Sequence, residues 1–232
     1  MRKIVFFFIT IIGLLFITAC NEIAVPAGDV NNKIDIAAIV GTSAEINELY
    51  YEERPQSSFY SGGVKIENTS KVWLKENILK TADEISFYID DELLYTETLG
   101  QLYDYNTLGY KRYYIGPYPE QAHLHTSAFN FQDSIGLPRD QTILWYSDKA
   151  THNFNMLQED IYQGEECLIV EILKNNSGST QVWISKDSGL PVKIVNNYNG
   201  NTSTREYHSF KIGEGAVPDT ALVIPSNAII IN

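Results

Sequence analysis

The feature that most limits what this chain can fold into is its punctuation. Between Thr142 and Phe210, short runs rich in β-branched and aromatic residues are cut by tight polar joints. The joints are Gln163-Gly164, Asn175-Asn176-Ser177-Gly178, Asp187-Ser188-Gly189 and Asn199-Gly200-Asn201. An Asn-Gly pair tolerates the positive φ angles of a two-residue hairpin turn, so the last joint is the strongest of these signals. The runs between them are Thr142–Tyr146, Asn153–Tyr162, Glu166–Leu173, Thr180–Ser185, Val192–Tyr198 and Ser203–Phe210. Parallel neighbours need crossovers of about a dozen residues or more. These joints are far too short for that, so the spacing predicts an antiparallel meander.

The first half uses the same grammar from Phe59 onward. Val64 and Ile66 alternate with Lys65 and Glu67, Asn68-Thr69-Ser70 reads as a turn, and Val72 and Leu74 alternate with Lys71 and Lys75. Ile85–Ile89 leads into a second turn, Asp90-Asp91-Glu92, and Leu94-Tyr95-Thr96 resumes the strand. Ahead of these, Thr42-Ser43-Ala44-Glu45 matches a capping box. Ile46, Leu49 and Tyr50 follow at helical spacing, which predicts a short helix near 43–52, closed by Pro55. Pro117–Gly136 has no period of two and contains Pro119, so it is either a helix over 119–131 or an irregular lid. At the end, Pro218–Pro225 reads as a turn before a last apolar segment, Ala228–Ile231. The fold class is mainly β, of the α+β kind.

The N-terminus sets the compartment. Arg2 and Lys3 precede an uncharged apolar run, Ile4–Ala19, ending in Ile17-Thr18-Ala19-Cys20. A basic start, a short apolar stretch and small residues before a cut site define a secretory signal. The stretch falls short of the roughly 20 residues of a spanning helix. Its last four residues resemble a bacterial lipobox, in which Cys20 becomes the acylated N-terminus. The expected organisation is a signal peptide over 1–19, a lipid-anchored tether over 20–33 and a domain over 34–232. The expected location is the extracytoplasmic face of a bacterial cell membrane. Loss of Arg2 and Lys3 takes the formal net charge from −12 to −14. That balance argues against nucleic acid, which needs a basic stripe, and fits a basic partner or simple solubility. Besides Cys20 there is only Cys167, so no disulfide framework is available. Cys167 lies in Glu166-Cys167-Leu168-Ile169-Val170 and reads as a small buried hydrophobe.

One hairpin carries a family likeness. Val182-Trp183-Ile184-Ser185-Lys186-Asp187-Ser188-Gly189-Leu190-Pro191-Val192-Lys193 resembles a hairpin of the LolA/LolB-like lipoprotein-carrier superfamily. Val72-Trp73-Leu74-Lys75-Glu76-Asn77 is similar to that family's early strand, and the likeness spans roughly 43–226. Within the hairpin, Gly189 is suited to positive φ in the turn, and Pro191 opens the return strand, where a missing N–H costs least. The resemblance implies an incomplete antiparallel β-barrel, a half-barrel, around helices. It implies an apolar concave face that holds acyl chains in carriers and binds proteins in other members. Sporulation and germination lipoproteins of the clostridial GerS type, which bind a cell-wall amidase, resemble this chain in size and anchoring. An anchored chain is not a soluble shuttle. The expected function is therefore binding of an envelope or spore-cortex protein, with acyl-chain carriage or lipid sensing as the alternative.

No residues suggest catalysis or a cofactor. His123-Leu124-His125 would place two imidazoles on one face, but a metal site needs further ligands, and His152 and His208 have no ligand spacing. Asp90-Asp91-Glu92 and Glu52-Glu53 lack the calcium-loop pattern. No nucleophile elbow occurs, and no phosphate-cradling loop. Asn68, Asn175 and Asn201 open glycan-acceptor triplets that read as turns here. The one excess is aromatic: 15 Tyr, 10 Phe and 3 Trp. Tyr103, Tyr105, Tyr110, Tyr113, Tyr114 and Tyr118 form the candidate binding residues. Tyrosine offers an apolar body with a polar tip, although half-buried strand packing explains the same cluster.

Overall fold

The computed structural model describes residues 34–120, 122, 138–150, 154–174 and 178–231. The signal segment, Cys20, most of the middle segment from 117 to 136, and His123, His125 and His152 lie outside these residues. Ile36–Asn232 forms one compact unit.

Its strands are β1 (Glu48–Glu53), β2 (Gln56–Phe59), β3 (Val64–Lys75), β4 (Ile78–Ile89), β5 (Glu92–Asp104), β6 (Gly109–Ile115), β7 (Phe154–Tyr162), β8 (Glu165–Lys174), β9 (Gly178–Ser185), β10 (Pro191–Tyr198), β11 (Asn201–Ile212) and β12 (Ile229–Ile231). All pair antiparallel in one sheet, ordered β12-β6-β5-β4-β3-β1-β11-β10-β9-β8-β7, with β2 added beside β3. The sheet runs from one edge to the other without closing, as an open half-barrel. Among the described residues the α-helices are α1 (Ile36–Gly41) and α2 (Leu144–Ala150).

Most of the expected joints turn the chain, while 175–177 lies outside the described residues. The turns at Asp90-Asp91, Gln163-Gly164 and Asn199-Gly200 all carry positive φ. β12 covers most of the last apolar segment, and a 3₁₀ turn, Asp219–Leu222, precedes it.

Three expectations are corrected. Residues 43–52 do not form a helix. The helix lies earlier, at Ile36–Gly41, and Thr42–Glu45 is a 3₁₀ turn. The Thr42 and Ser43 hydroxyls donate back to the Ile39 and Val40 carbonyls at 2.7 and 2.8 Å, so they close a helix instead of opening one. Leu49 and Tyr51 are then buried at a spacing of two, the period of a strand with one covered face. Thr142–Tyr146 is not a strand. The Thr142 hydroxyl accepts the Leu144 N–H at 3.2 Å and caps α2, whose Leu144, Ser147 and Ala150 are buried at a spacing of three. Asn68-Thr69-Ser70 is not a turn. β3 runs straight through it, because β4 offers an unbroken partner and the Ser70 hydroxyl donates to Asp83 at 2.5 Å.

β1 joins the two halves. It pairs with β3 on one side and β11 on the other. The hairpin of the family-like motif seats the helices. Gly189 has φ +68°, and a Cβ there would lie 2.4 Å from the Ile39 carbonyl oxygen of α1. The Ser147 hydroxyl of α2 donates to the Gly189 carbonyl at 3.1 Å. On the opposite face, buried Lys80 donates to the Ala221 and Val223 carbonyls at 2.7 and 2.8 Å, pinning the C-terminal segment. Its ammonium sits 5.4 Å from the Trp73 ring centroid and 5.7 Å from that of Tyr113.

Leu49 of β1 is fully buried. Leu49→Ala should cost about 2–5 kcal/mol, as for other truncations in packed cores. Guanidinium unfolding followed by both fluorescence and circular dichroism should show one coincident transition at lower denaturant, because β1 belongs to both halves. Two separated transitions would contradict the joined-sheet reading.

Candidate functional site

The strand registers divide the side chains into two faces. Ile212, Leu49, Leu74, Leu79, Tyr103 and Tyr110 are successive cross-strand partners and share one face. That face continues through Ile194, Val182 and Val170, over which α2 packs against β8, β9 and β10. It is the inner face. Under the helices it is filled: Leu144, Leu168, Val170, Val182, Ile184, Leu190 and Ile194 all have no accessible surface.

Farther along the inner face the chemistry changes. Glu53, Gln56, Asn68, Ser70 and Arg205 line a cavity of about 210 Å³. Arg205 Nε lies 3.7 Å from Glu53 Oε1, and the Gln56 amide donates to the same oxygen at 2.8 Å. Burial raises the Glu53 carboxyl above its usual range; Arg205 opposes the shift and Asp83 adds to it. A carboxylate perturbed by burial beside a charge partner in a cleft is a functional-site candidate. The arrangement offers one guanidinium, one carboxylate, two amides and a hydroxyl. It can hold a polar or charged group by hydrogen bonds. Tyr51 and Tyr207, two residues from Glu53 and Arg205 on the same strands, meet edge to face at 5.6 Å.

The six candidate tyrosines do not form one surface. Successive strand residues face opposite sides, so β6 splits them. Tyr110 and Tyr114 face inward and Tyr113 outward. Tyr114 is fully buried, bonds Glu97 at 3.1 Å and packs with Ala122 and Ile231. Tyr113 is buried over Gly100, where a Cβ would stand 1.9 Å from the ring. Its hydroxyl is pushed up to about 12 by burial. Tyr103 is buried, stacks within 4.7 Å of Tyr110 and donates to Gln101 at 2.5 Å. The Tyr105 hydroxyl is buried without a hydrogen-bond partner among the described residues. Tyr118 is 40% exposed and meets Tyr95 edge to face. Burial therefore places Tyr103, Tyr113 and Tyr114 in packing and leaves Tyr118 accessible.

Cys167 is buried, and burial pushes its thiol up to about 11. His208 Nε2 stands 3.5 Å from Glu52. Among the described residues, no group of three His, Cys, Asp or Glu could hold a metal ion. Two further cavities flank the family-like hairpin. One, about 660 Å³, lies between its turn, the start of β8, and Phe210 and Ile212. The other, about 480 Å³, is lined by Glu159, Asp160, Ile161, Glu166 and Lys186. The Glu53–Arg205 pair was not legible in the sequence, because its members are distant in the chain and meet only through β1 and β11.

No protein-family model matches the chain, and no curated protein matches it. Among solved structures, a chain of the Pseudomonas aeruginosa MucA/MucB complex superposes with a TM-score of 0.50 at 11% identity, over 85% of this chain and 63% of that one. This chain thus spans less than two thirds of that neighbour's length. A DUF1329 family protein from Desulfovibrio piger matches at 0.35, with 11% identity over 82% of this chain and 95% of that one. A LolA superfamily protein from Nitrosomonas europaea matches at 0.31, with 11% identity over 82% and 97%. The first of these shows a shared fold and no more.

Glu53→Gln tests the polar cavity. With its carboxyl raised, the folded chain holds the Glu53 proton more tightly than the unfolded chain does. That contribution is present below the unfolded value and is lost as pH rises through the folded one. Glu53→Gln should therefore melt higher than the wild type at pH 7, and the gap should shrink toward pH 4. A variant less stable at pH 7 would mean that the Arg205 attraction outweighs burial.

Proposed function

We propose that the chain is a non-catalytic binding lipoprotein, anchored through Cys20 on the extracytoplasmic face of the cell membrane, whose half-barrel receives a protein of the cell envelope or spore cortex. The observation that carries this reading is the filled inner face. A carrier must leave room for acyl chains, whereas here the apolar inner surface beneath the helices is occupied by the chain's own side chains. The cavity at Glu53 and Arg205 on that face is lined by charged and polar groups, which a hydrocarbon tail could not supply with hydrogen bonds. Polar, charged linings suit protein surfaces, where hydrogen bonds and complementary charge give specificity. The fold shared with a chain of a protein–protein complex supports the same direction. The acidic balance of the chain favours a basic partner face.

Two experiments test this. The full chain, expressed in its host with a C-terminal tag, should fractionate with membranes, and Cys20→Ala should release it or leave it unprocessed; unchanged membrane association of a normally cleaved Cys20→Ala chain would refute the anchor. Crosslinking and tag capture at several growth stages should recover the same protein partner. Organic extracts of the purified chain should hold no stoichiometric lipid by mass spectrometry; a one-to-one acyl lipid would favour carriage instead.

A further inference from the structure

The two edges of the sheet are unlike. β12 is three residues long, and such a short edge offers little for another strand to pair with. β7 at the other edge is nine residues long, and its seven central residues, Asn155–Ile161, are all exposed. Among the described residues no strand pairs with its outer side. An unpaired strand edge presents a row of N–H and C=O groups whose geometry fits only another extended chain. Edges are guarded by lysine, proline, other charges or bulges. β7 has no lysine or proline, but it carries Glu159 and Asp160 and a register shift between Met156 and Gln158. These disfavour another acidic strand and leave a basic one as the fitting partner. It also carries exposed apolar side chains: Met156 is 43%, Leu157 45% and Ile161 72% accessible.

Its charges point to the kind of chain that would fit. Glu159, Asp160 and Ile161 all line the cavity of about 480 Å³, and successive strand residues face opposite sides. The cavity is also lined by Glu166 of β8 and Lys186 just beyond β9, so it opens over the end of the sheet beside β7, next to the edge that an added strand would extend. Lys186 is the single cation there, bonded to Glu159 at 2.6 Å and near Glu166 at 3.5 Å, while Asp160 takes the Trp183 indole N–H at 3.0 Å. Three carboxylates against one ammonium leave the cavity anionic.

We propose that β7 is a docking edge for an extended segment of a protein partner. The segment would alternate apolar and basic residues, pair along Phe154–Tyr162, and place a cationic side chain beside Glu159 and Glu166. This rests on the protein-binding reading above and names the surface it uses.

The test uses the mature chain from Cys20 onward and a nine-residue alternating Lys-Val peptide. Binding should be saturable at about 0.15 M salt, with slowed amide exchange confined to β7. N-methylation of alternate peptide residues removes donors along one edge and should weaken binding about tenfold or more. An alternating Glu-Val peptide should bind at least as poorly. Leu157→Lys/Ile161→Lys puts charge on two exposed side chains, so it should keep the wild-type melting temperature and lose the peptide. Equal binding of the N-methylated peptide, or protection away from β7, would overturn the proposal. So would sedimentation showing a wild-type dimer that this variant dissolves, since the edge would then be filled by a second copy. If the variant still captures the cellular partner, the edge proposal fails and the protein-binding reading stands. If the wild type binds the peptide at β7 but captures no partner, the edge stands and that reading fails.

Discussion

Two sets of hairpins become one sheet through the hydrogen bonds of β1. β3 to β6 form one series and β7 to β11 another, and β1 takes β3 on one side and β11 on the other. The strand is six residues long, yet it puts Leu49 and Tyr51 into the inner face where both series contribute neighbours. Without it each series would expose a long edge and half of an apolar face. Everything on the inner face beyond the local turns depends on this seam, including the meeting of Glu53 with Arg205 across β1 and β11.

The helices work from the other side of the same constraint. They are short, at six and seven residues, and neither would persist alone in water. Both rest on the turn around Gly189, which has the positive φ and the missing Cβ that close approach requires. The hairpin that most resembles the LolA-like family is thus the point where helices and sheet lock together. This accounts for its strict pattern without any chemistry. Locking fills the inner face there.

Sequence reasoning failed where local composition fits more than one backbone arrangement. Thr42–Glu45 has a helix-opening pattern, yet its hydroxyls turn back on the preceding helix. Asn68–Ser70 has turn composition, yet β4 holds it extended. Thr142–Tyr146 has strand composition, yet Thr142 caps a helix. Only at Asn68–Ser70 does a long-range partner, β4, override the local preference. At Thr42–Glu45 and Thr142 the same hydroxyls serve a helix end that the composition does not distinguish from the alternative. The tyrosine cluster is similar. Six residues close in sequence look like one surface, but the alternation of β6 sends neighbours to opposite faces.

What the sequence determined by itself was local and covalent: the positions of the hairpin turns, where only small or αL-tolerant residues fit, and the strands those turns separate. It also determined the lack of a disulfide framework, leaving a core held by packing alone, and the acidic balance of the chain. The tertiary structure alone decided which strands are neighbours, that β1 is a strand at all, that the inner face is filled beneath the helices, and that among the described residues β7 pairs on one side only. These depend on contacts between residues far apart in the chain. Such contacts are settled by which pairings bury the most apolar surface together, a quantity no local window contains.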